Sequence, residues 1–214
     1  LSKRLLDEGL EVIGIDNLNT YYDVSLKKDR LSELKKYEKF VFEICDMAEM
    51  NELSKVFLNH KPDYVINLAA QPGVRYSITN PDVSLKNNIN AFFNLLECCR
   101  NSKVKSLIYA SSSSVYGNCV KIPFSVEDNV DHPISLYAAT KKANELMAYT
   151  YHHLYGIPAT GLRFFTVYGP WGRPDMAYFK FADKIFKGEA IDVYNNGDMQ
   201  RDFTYIDDVV ESIY

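Results

Sequence analysis

Tyr137 and Lys141 stand four residues apart in SLYAATKKANEL, a spacing that puts both on one face of a helix. An ammonium beside a phenol favours the phenolate, so such a pair lets tyrosine accept a proton well below its ordinary pKa of about 10. With 16 Tyr and 17 Lys in 214 residues, about one such spacing arises by accident. Context sharpens this one, because it opens a helix 25 residues after Ser112, behind a loop of turn residues. Ser111, Ser112, Ser113 and Ser114 close an apolar run, and each hydroxyl can offer one donor and two acceptor sites to a polyhydroxylated ligand. The bland alternative is a plain serine loop. Asp16 closes another apolar run ahead of Asn17; a carboxylate there can accept both hydroxyls of a ribose and repel a 2′-phosphate, or simply cap a turn. Asp46, before Met47, can bond an adenine amino group or cap the next helix.

These residues need a frame that brings strand ends together. Short apolar runs at 11–16, 39–45, 63–70, 106–113, 159–169 and 190–195 predict strands, and longer amphipathic patterns predict helices at 47–59, 81–101, 137–155, 174–187 and 205–214. The runs from Ile13, Val65 and Leu107 are apolar on consecutive residues, as in parallel strands covered on both faces. Alternating strands and helices of this length predict an α/β fold, a doubly wound parallel sheet of Rossmann type, in which ligands sit outside the C-terminal ends of the strands. LSKRLLDEG, with Gly9 as a C-terminal cap, is expected to be the second half of a helix, and YIDDVVESIY a helix without a cap. The chain is therefore expected to be a piece of a longer protein, with the glycine-rich phosphate loop upstream of Leu1 and only a partial C-terminal substrate domain.

Composition narrows the partners. A net charge of −4 and the absence of a basic stripe argue against nucleic acid. No apolar run approaches the roughly 18 residues of a membrane span and no signal peptide is evident, so the expected location is cytoplasmic. Cys45, Cys98, Cys99 and Cys119 offer no metal spacing and are expected to be reduced, mostly buried thiols. His60, His132, His152 and His153 have no carboxylate or cysteine at ligand spacing, so no metal site is expected.

DN at 16–17, NLAAQPGVRYS at 67–77, NNIN at 87–90, YASSSSVYG at 109–117, YAATK at 137–141 and RFFTVYGPWGRPDMA at 163–177 together resemble the extended short-chain dehydrogenase/reductase family, along the whole chain. The last of these segments is most similar to the UDP-glucuronate 4-epimerases of the capsule-biosynthesis type. The resemblance implies that 1–169 is an NAD-binding domain and that 170–214 begins the sugar-nucleotide region, interleaved with the first. It implies Tyr137 as base, Lys141 as holder of the nicotinamide ribose, and Ser112 as a partner for the proton of the sugar 4-hydroxyl. It places Asp16, Asn17, Asp46, Met47, Leu68, Ala69, Asn87, Tyr137 and Lys141 around NAD, and Arg75, Ser113, Ser114, Thr166, Arg173 and Arg201 toward a UDP-sugar. A homodimer is expected.

The implied reaction moves a hydride from C4 of the sugar to NAD and back to the other face of a 4-keto intermediate, with no net redox change. A 4-keto glucuronate is a β-keto acid, so its carboxylate must be restrained against loss of CO2; Arg173 offers a bidentate partner, or else braces its own loop. Relatives that dehydrate or decarboxylate characteristically place an acid in the two residues after the strand-end Ser or Thr, where this chain has Ser113 and Ser114. Dehydratase or decarboxylase activity is one rival, epimerisation of a neutral UDP-sugar (glucose or N-acetylglucosamine) a closer one, and an inactive nucleotide-binding module the non-enzymatic one.

Overall fold

The structure, a computed structural model, describes residues 1–214 apart from the side chain of Tyr194. Helices are α1 (Ser2–Asp7), α2 (Val24–Leu34), α3 (Met50–His60), α4 (Tyr76–Thr79), α5 (Pro81–Leu85), α6 (Ala91–Ser102), α7 (Leu136–Tyr155), α8 (Ala177–Phe186) and α9 (Ile206–Ile213). Strands are β1 (Val12–Asp16), β2 (Phe40–Ile44), β3 (Tyr64–Asn67), β4 (Ser106–Ala110), β5 (Ala159–Leu162), β6 (Thr166–Tyr168) and β7 (Phe203–Tyr205). The α/β expectation holds, with parallel pairing of β3 to β4, β4 to β5 and β6 to β7. Hydrogen bonding groups the strands as β1-β2, β3-β4-β5 and β6-β7 rather than as one ladder.

The chain forms two compact units, one of residues 1–14, 18–42 and 165–214, the other of 15–17 and 43–164. These units are defined by packing and differ from the division at 169/170, which concerns what each part binds. The second unit carries β3-β4-β5 and a core in which Leu53, Leu96, Cys99 and Leu107 are fully buried. There α6 packs against both α3 and α7. Leu107 and Tyr109 point into the core from alternate positions of β4, and Tyr109 fills the space over Gly161 so fully that a Cβ at 161 would lie 2.5 Å from its hydroxyl. In the first unit α9 buries Val209 and Ile213, and Arg4 of α1 pairs with Glu211 at 2.6 Å.

Several expected elements shift for identifiable reasons. The expected strand at 190–195 is absent: Asn195 and Asn196 adopt φ of 50° and 53° in a turn at Tyr194–Gly197, left-handed geometry that asparagine tolerates and a strand does not. The run at 159–169 divides into β5 and β6 because Arg163 and Phe164 leave the ladder, with the Phe164 amide donating to the Leu162 carbonyl. The helix expected from residue 47 begins at Met50, since the Asp46 carboxylate accepts from the Ala48 amide and holds a turn there. The pattern at 106–113 is a strand only to Ala110; Ser113–Tyr116 is a 3-10 turn capped by Ser112. Helix α2, whose sequence VSLKKDRLSEL lacks an apolar stripe, starts where the Asp23 side chain accepts from the Ser25 amide. Strand β7 is three residues long and escaped the apolar pattern.

The expected single helix at 81–101 is broken by a π turn at Lys86–Asn90, which aims Asn88 inward. Asn88 is 1% exposed. Its Oδ1 accepts from the Gln71 amide at 2.7 Å, and its Nδ2 donates to the Gln71 carbonyl and to Thr140 Oγ1, each at 3.1 Å. The Asn144 amide group in turn donates to the Asn88 carbonyl at 2.8 Å. One side chain thus ties the loop after β3 to α7. Asn88→Ala would leave these buried groups unpaired and should cost about 2 to 4 kcal/mol of stability, measured by denaturant or thermal unfolding.

Candidate functional site

The second unit holds the strand ends that sequence marked. Asp16 ends β1, and its carbonyl accepts from the Cys45 amide at 3.3 Å. Asp46 and Met47 follow β2; Met47 is buried and its carbonyl accepts from Asn94 at 3.0 Å. Leu68 and Ala69 follow β3, where Asn67 Oδ1 accepts from the Ala69 amide at 3.1 Å. Leu68 is 48% exposed although apolar, and Asn87, in the π turn, donates to the Val83 carbonyl at 3.0 Å. These strand-end loops carry a carboxylate that can accept hydroxyl protons and an accessible apolar side chain, the two kinds of surface that a nucleoside presents itself to.

Helix α7 begins at an N-cap, Ser135, whose side chain accepts from the Ala138 amide at 3.1 Å. This fixes the first turn, which carries Tyr137. The Tyr137 amide donates to Ser77 Oγ at 3.2 Å. One turn on, Lys141 is only 3% exposed; its Nζ donates to the Ala110 carbonyl at 2.8 Å and lies 6.0 Å from the centre of the Tyr137 ring. Burial pushes the Lys141 pKa down to about 8. The four serines do not act alike. Ser111 is buried and donates to Glu145 Oε1 at 2.6 Å, so it faces the helix rather than a ligand, contrary to the expectation that all four hydroxyls face one. Ser112 Oγ accepts from the Ser114 amide at 3.2 Å and bonds the Ser114 hydroxyl at 2.9 Å. Ser113 is held through its amide, which donates to the Phe164 carbonyl at 2.9 Å.

Sequence reasoning missed Glu145 and Arg163. Their carboxylate and guanidinium meet twice at 2.9 Å, and Arg163 Nη1 reaches the Tyr116 hydroxyl at 3.3 Å. The signal was available for Glu145, which continues the four-residue spacing of Tyr137 and Lys141. Arg163 opens the RFFTVYGPWGRPDMA segment, but nothing in that segment linked it to Glu145 or Tyr116. His60, expected to lack a carboxylate partner at ligand spacing in sequence, meets Glu43 at 3.1 Å across two elements. Among the described residues no group of three His, Cys, Asp or Glu side chains could hold a metal ion. Burial raises the thiols, Cys45 to about 11 and Cys99 to about 12, as inert core cysteines. Among the described residues no helix is long and apolar enough to cross a membrane.

The remaining sequence-marked residues divide between the units. Arg75 is exposed at the start of α4 in the second. Thr166, Arg173 and Arg201 lie in the first, where the Thr166 amide donates to the Asp202 carbonyl at 3.3 Å and Arg201 is exposed. Arg173 is half-buried, 3.5 Å from Asp175, with Nη2 donating to the Met176 sulfur at 3.3 Å. Its loop is braced by Arg30, which donates to the Trp171 carbonyl, and turns at Gly169, whose φ of 141° and close approach to Ile206 leave no room for a Cβ.

A model of the NAD dependent epimerase/dehydratase family matches residues 1–214. The chain belongs to this family. NAD is the family's cofactor. Among its relatives, Protein CapI of Staphylococcus aureus is 60% identical over all of this chain and 64% of its own length. A probable UDP-glucuronate 4-epimerase of Rhizobium meliloti is 50% identical over all of this chain and 62% of its own. The chain thus spans a little under two thirds of these curated relatives. The crystal structure of UDP-glucuronic acid 4-epimerase from Bacillus cereus, in complex with UDP-glucuronic acid and NAD, superposes with a TM-score of 0.91 at 35% identity, covering 99% of this chain and 67% of that one.

The buried lysine makes a stability prediction. Its folded pKa, about 8, lies below the ordinary lysine value of 10.5, so the unfolded chain binds more protons between those values and stability rises with pH across that window. Below pH 8 the full cost is present, on the order of 3 kcal/mol. The melting temperature of the ligand-free protein should therefore rise between pH 8 and 10, and thermal unfolding of Lys141→Met, which has no group to titrate there, should lack that rise.

Proposed function

We propose that the protein is an NAD-dependent 4-epimerase of a UDP-hexuronic acid, interconverting UDP-glucuronate and UDP-galacturonate through a 4-keto sugar. The observation that carries the reading is the head of α7, where Tyr137 is fixed by its cap and the Lys141 ammonium lies one turn below the phenol. The relatives named as UDP-glucuronate 4-epimerases support the choice of sugar. In this reading 1–169 serves NAD and 170–214 begins the sugar-nucleotide region.

NAD, when bound, takes a hydride from C4 of the sugar and returns it to the opposite face. The chain's own residues manage protons and charge. Tyr137 accepts the O4 proton, favoured by the ammonium of Lys141, which below pH 8 keeps its charge although buried. Ser112, already bonded to Ser114, holds the sugar hydroxyl in line. Asp16, Asn17, Asp46, Met47, Leu68, Ala69 and Asn87 hold the nucleotide cofactor, with Asp16 selecting NAD over NADP by repelling a 2′-phosphate. Arg75, Thr166 and Arg201 contact the UDP-sugar. Ser113 and Ser114 add neutral hydroxyls, and with no acid at either position nothing assists chemistry beyond C4.

Arg173 is assigned to the sugar carboxylate. Its existing contact with Asp175 favours one second reading, a neutral UDP-sugar epimerase in which Arg173 only braces its loop. A homodimer is the proposed assembly, through Phe93 of α6 and Leu146 and Tyr149 of α7, large side chains left exposed on the second unit. A cytoplasmic location accords with four free thiols.

Tyr137→Phe should abolish epimerisation while leaving UDP-sugar binding nearly intact; retention of more than about a tenth of the rate removes Tyr137 from the role of base. Arg173→Lys keeps the charge and loses the fork, so turnover of UDP-glucuronate should fall while that of UDP-glucose is spared, with pentose products appearing as the freed carboxylate is lost. Product analysis by NMR with both sugars decides, since an equal fall for both makes Arg173 a brace and favours the neutral-sugar reading.

A further inference from the structure

In the proposed reaction Ser112 carries a hydroxyl that must meet the same sugar oxygen as Tyr137, yet among the described residues its side-chain hydrogen bonds stay within its own turn, to Ser114. Its placement is therefore decided by its neighbours. On the N-terminal side, Lys141 donates to the Ala110 carbonyl at 2.8 Å and Glu145 accepts from Ser111 at 2.6 Å, so α7 is fastened to two successive residues at the end of β4. On the C-terminal side, Arg163 reaches the Tyr116 hydroxyl at 3.3 Å, and its guanidinium carbon lies 5.1 Å from the centre of that ring. The same guanidinium grips both oxygens of Glu145 at 2.9 Å. Arg163 and Glu145 are mostly buried, with side chains 19% and 15% exposed, a setting in which a planar fork holds its geometry far better than a surface pair. Burial acts to raise the Glu145 pKa, but the hydrogen bonds from Arg163 and Ser111 outweigh it and keep the carboxyl below its ordinary range.

We infer that Glu145, clamped by Arg163, is a positioning residue that sets Ser112 against Tyr137 by holding Ser111 on one flank of the serine turn and Tyr116 on the other. Glu145 touches no reacting atom. It sits on the helix that carries Tyr137, two turns further along, so any slack in its bond to Ser111 becomes slack between the proton acceptor and the hydroxyl that aligns the substrate. The inference rests on the reading of Tyr137 as base.

The test uses steady-state kinetics of the protein with NAD and UDP-glucuronate for Ser111→Ala, Glu145→Gln, their combination, and Tyr137→Phe. Ser111→Ala removes one hydroxyl and leaves the Glu145 to Arg163 pair in place, so the variant should fold. It should lower kcat by about tenfold to a hundredfold with KM within about twofold of wild type, because alignment is lost and binding is not. Glu145→Gln turns an amide NH2 against the Arg163 fork and loosens both flanks, so it should fall by at least that factor, and the double variant should be no worse than Glu145→Gln alone. A wild-type kcat in Ser111→Ala, or losses that multiply in the double variant, overturns the positioning role while Tyr137→Phe stays inactive. Turnover by Tyr137→Phe would instead remove the base assignment, and the inference with it.

Discussion

The structure of the second unit turns on the hydrogen bond from the Lys141 ammonium to the Ala110 carbonyl. A parallel strand runs out of partners at its C-terminal end, and a helix that crosses there can supply them only with side chains long enough to reach. Lysine does so while placing a desolvated positive charge one helical turn below Tyr137. The charge is expensive to bury, and the fold tolerates it where the same group fastens helix to strand.

Around that bond, polar side chains rather than apolar ones hold the strand-end loops. Asn88 holds the loop after β3, Asn94 the loop after β2, and Ser111 with Glu145 the end of β4. Such contacts are directional, so each loop has one preferred backbone path instead of a range that merely fills space. The apolar core of Leu53, Leu96, Cys99 and Leu107 lies beneath them and supplies the bulk of the cohesion without specifying those paths. A fold that places ligands at strand ends needs both kinds of interaction, one for cohesion and one for aim.

The α/β class, most helices and the pairing of Tyr137 with Lys141 were legible because they depend on local periodicity and spacing. What was not legible has separate causes. The 190–195 run has strand-like composition, yet Asn195 and Asn196 turn left-handed and no strand forms. Helix α2 lacks an apolar stripe and shows itself only through its Asp23 cap. The division of labour among the serines was hidden for a different reason: Ser111 and Ser112 are chemically identical, and only the positions of Glu145 and Ser114, one distant in sequence and one adjacent, assign one inward and the other to the turn. The part played by Arg163, although it opens a quoted motif, was hidden because it lies in two partners from other elements.

The π turn at Lys86–Asn90 amounts to one surplus residue spliced into what would otherwise be a continuous helix. Each residue in an α-helix advances the face by about 100°. Removing one there would let the backbone heal into regular α-helix at no local cost, yet would swing the whole preceding segment around its axis. Asn87 and Asn88 would leave their present directions while Asn94 kept its own. The positions between Asn88 and Asn94 should therefore tolerate substitution far better than a change in their number, because the count alone keeps both asparagines aimed at their partners.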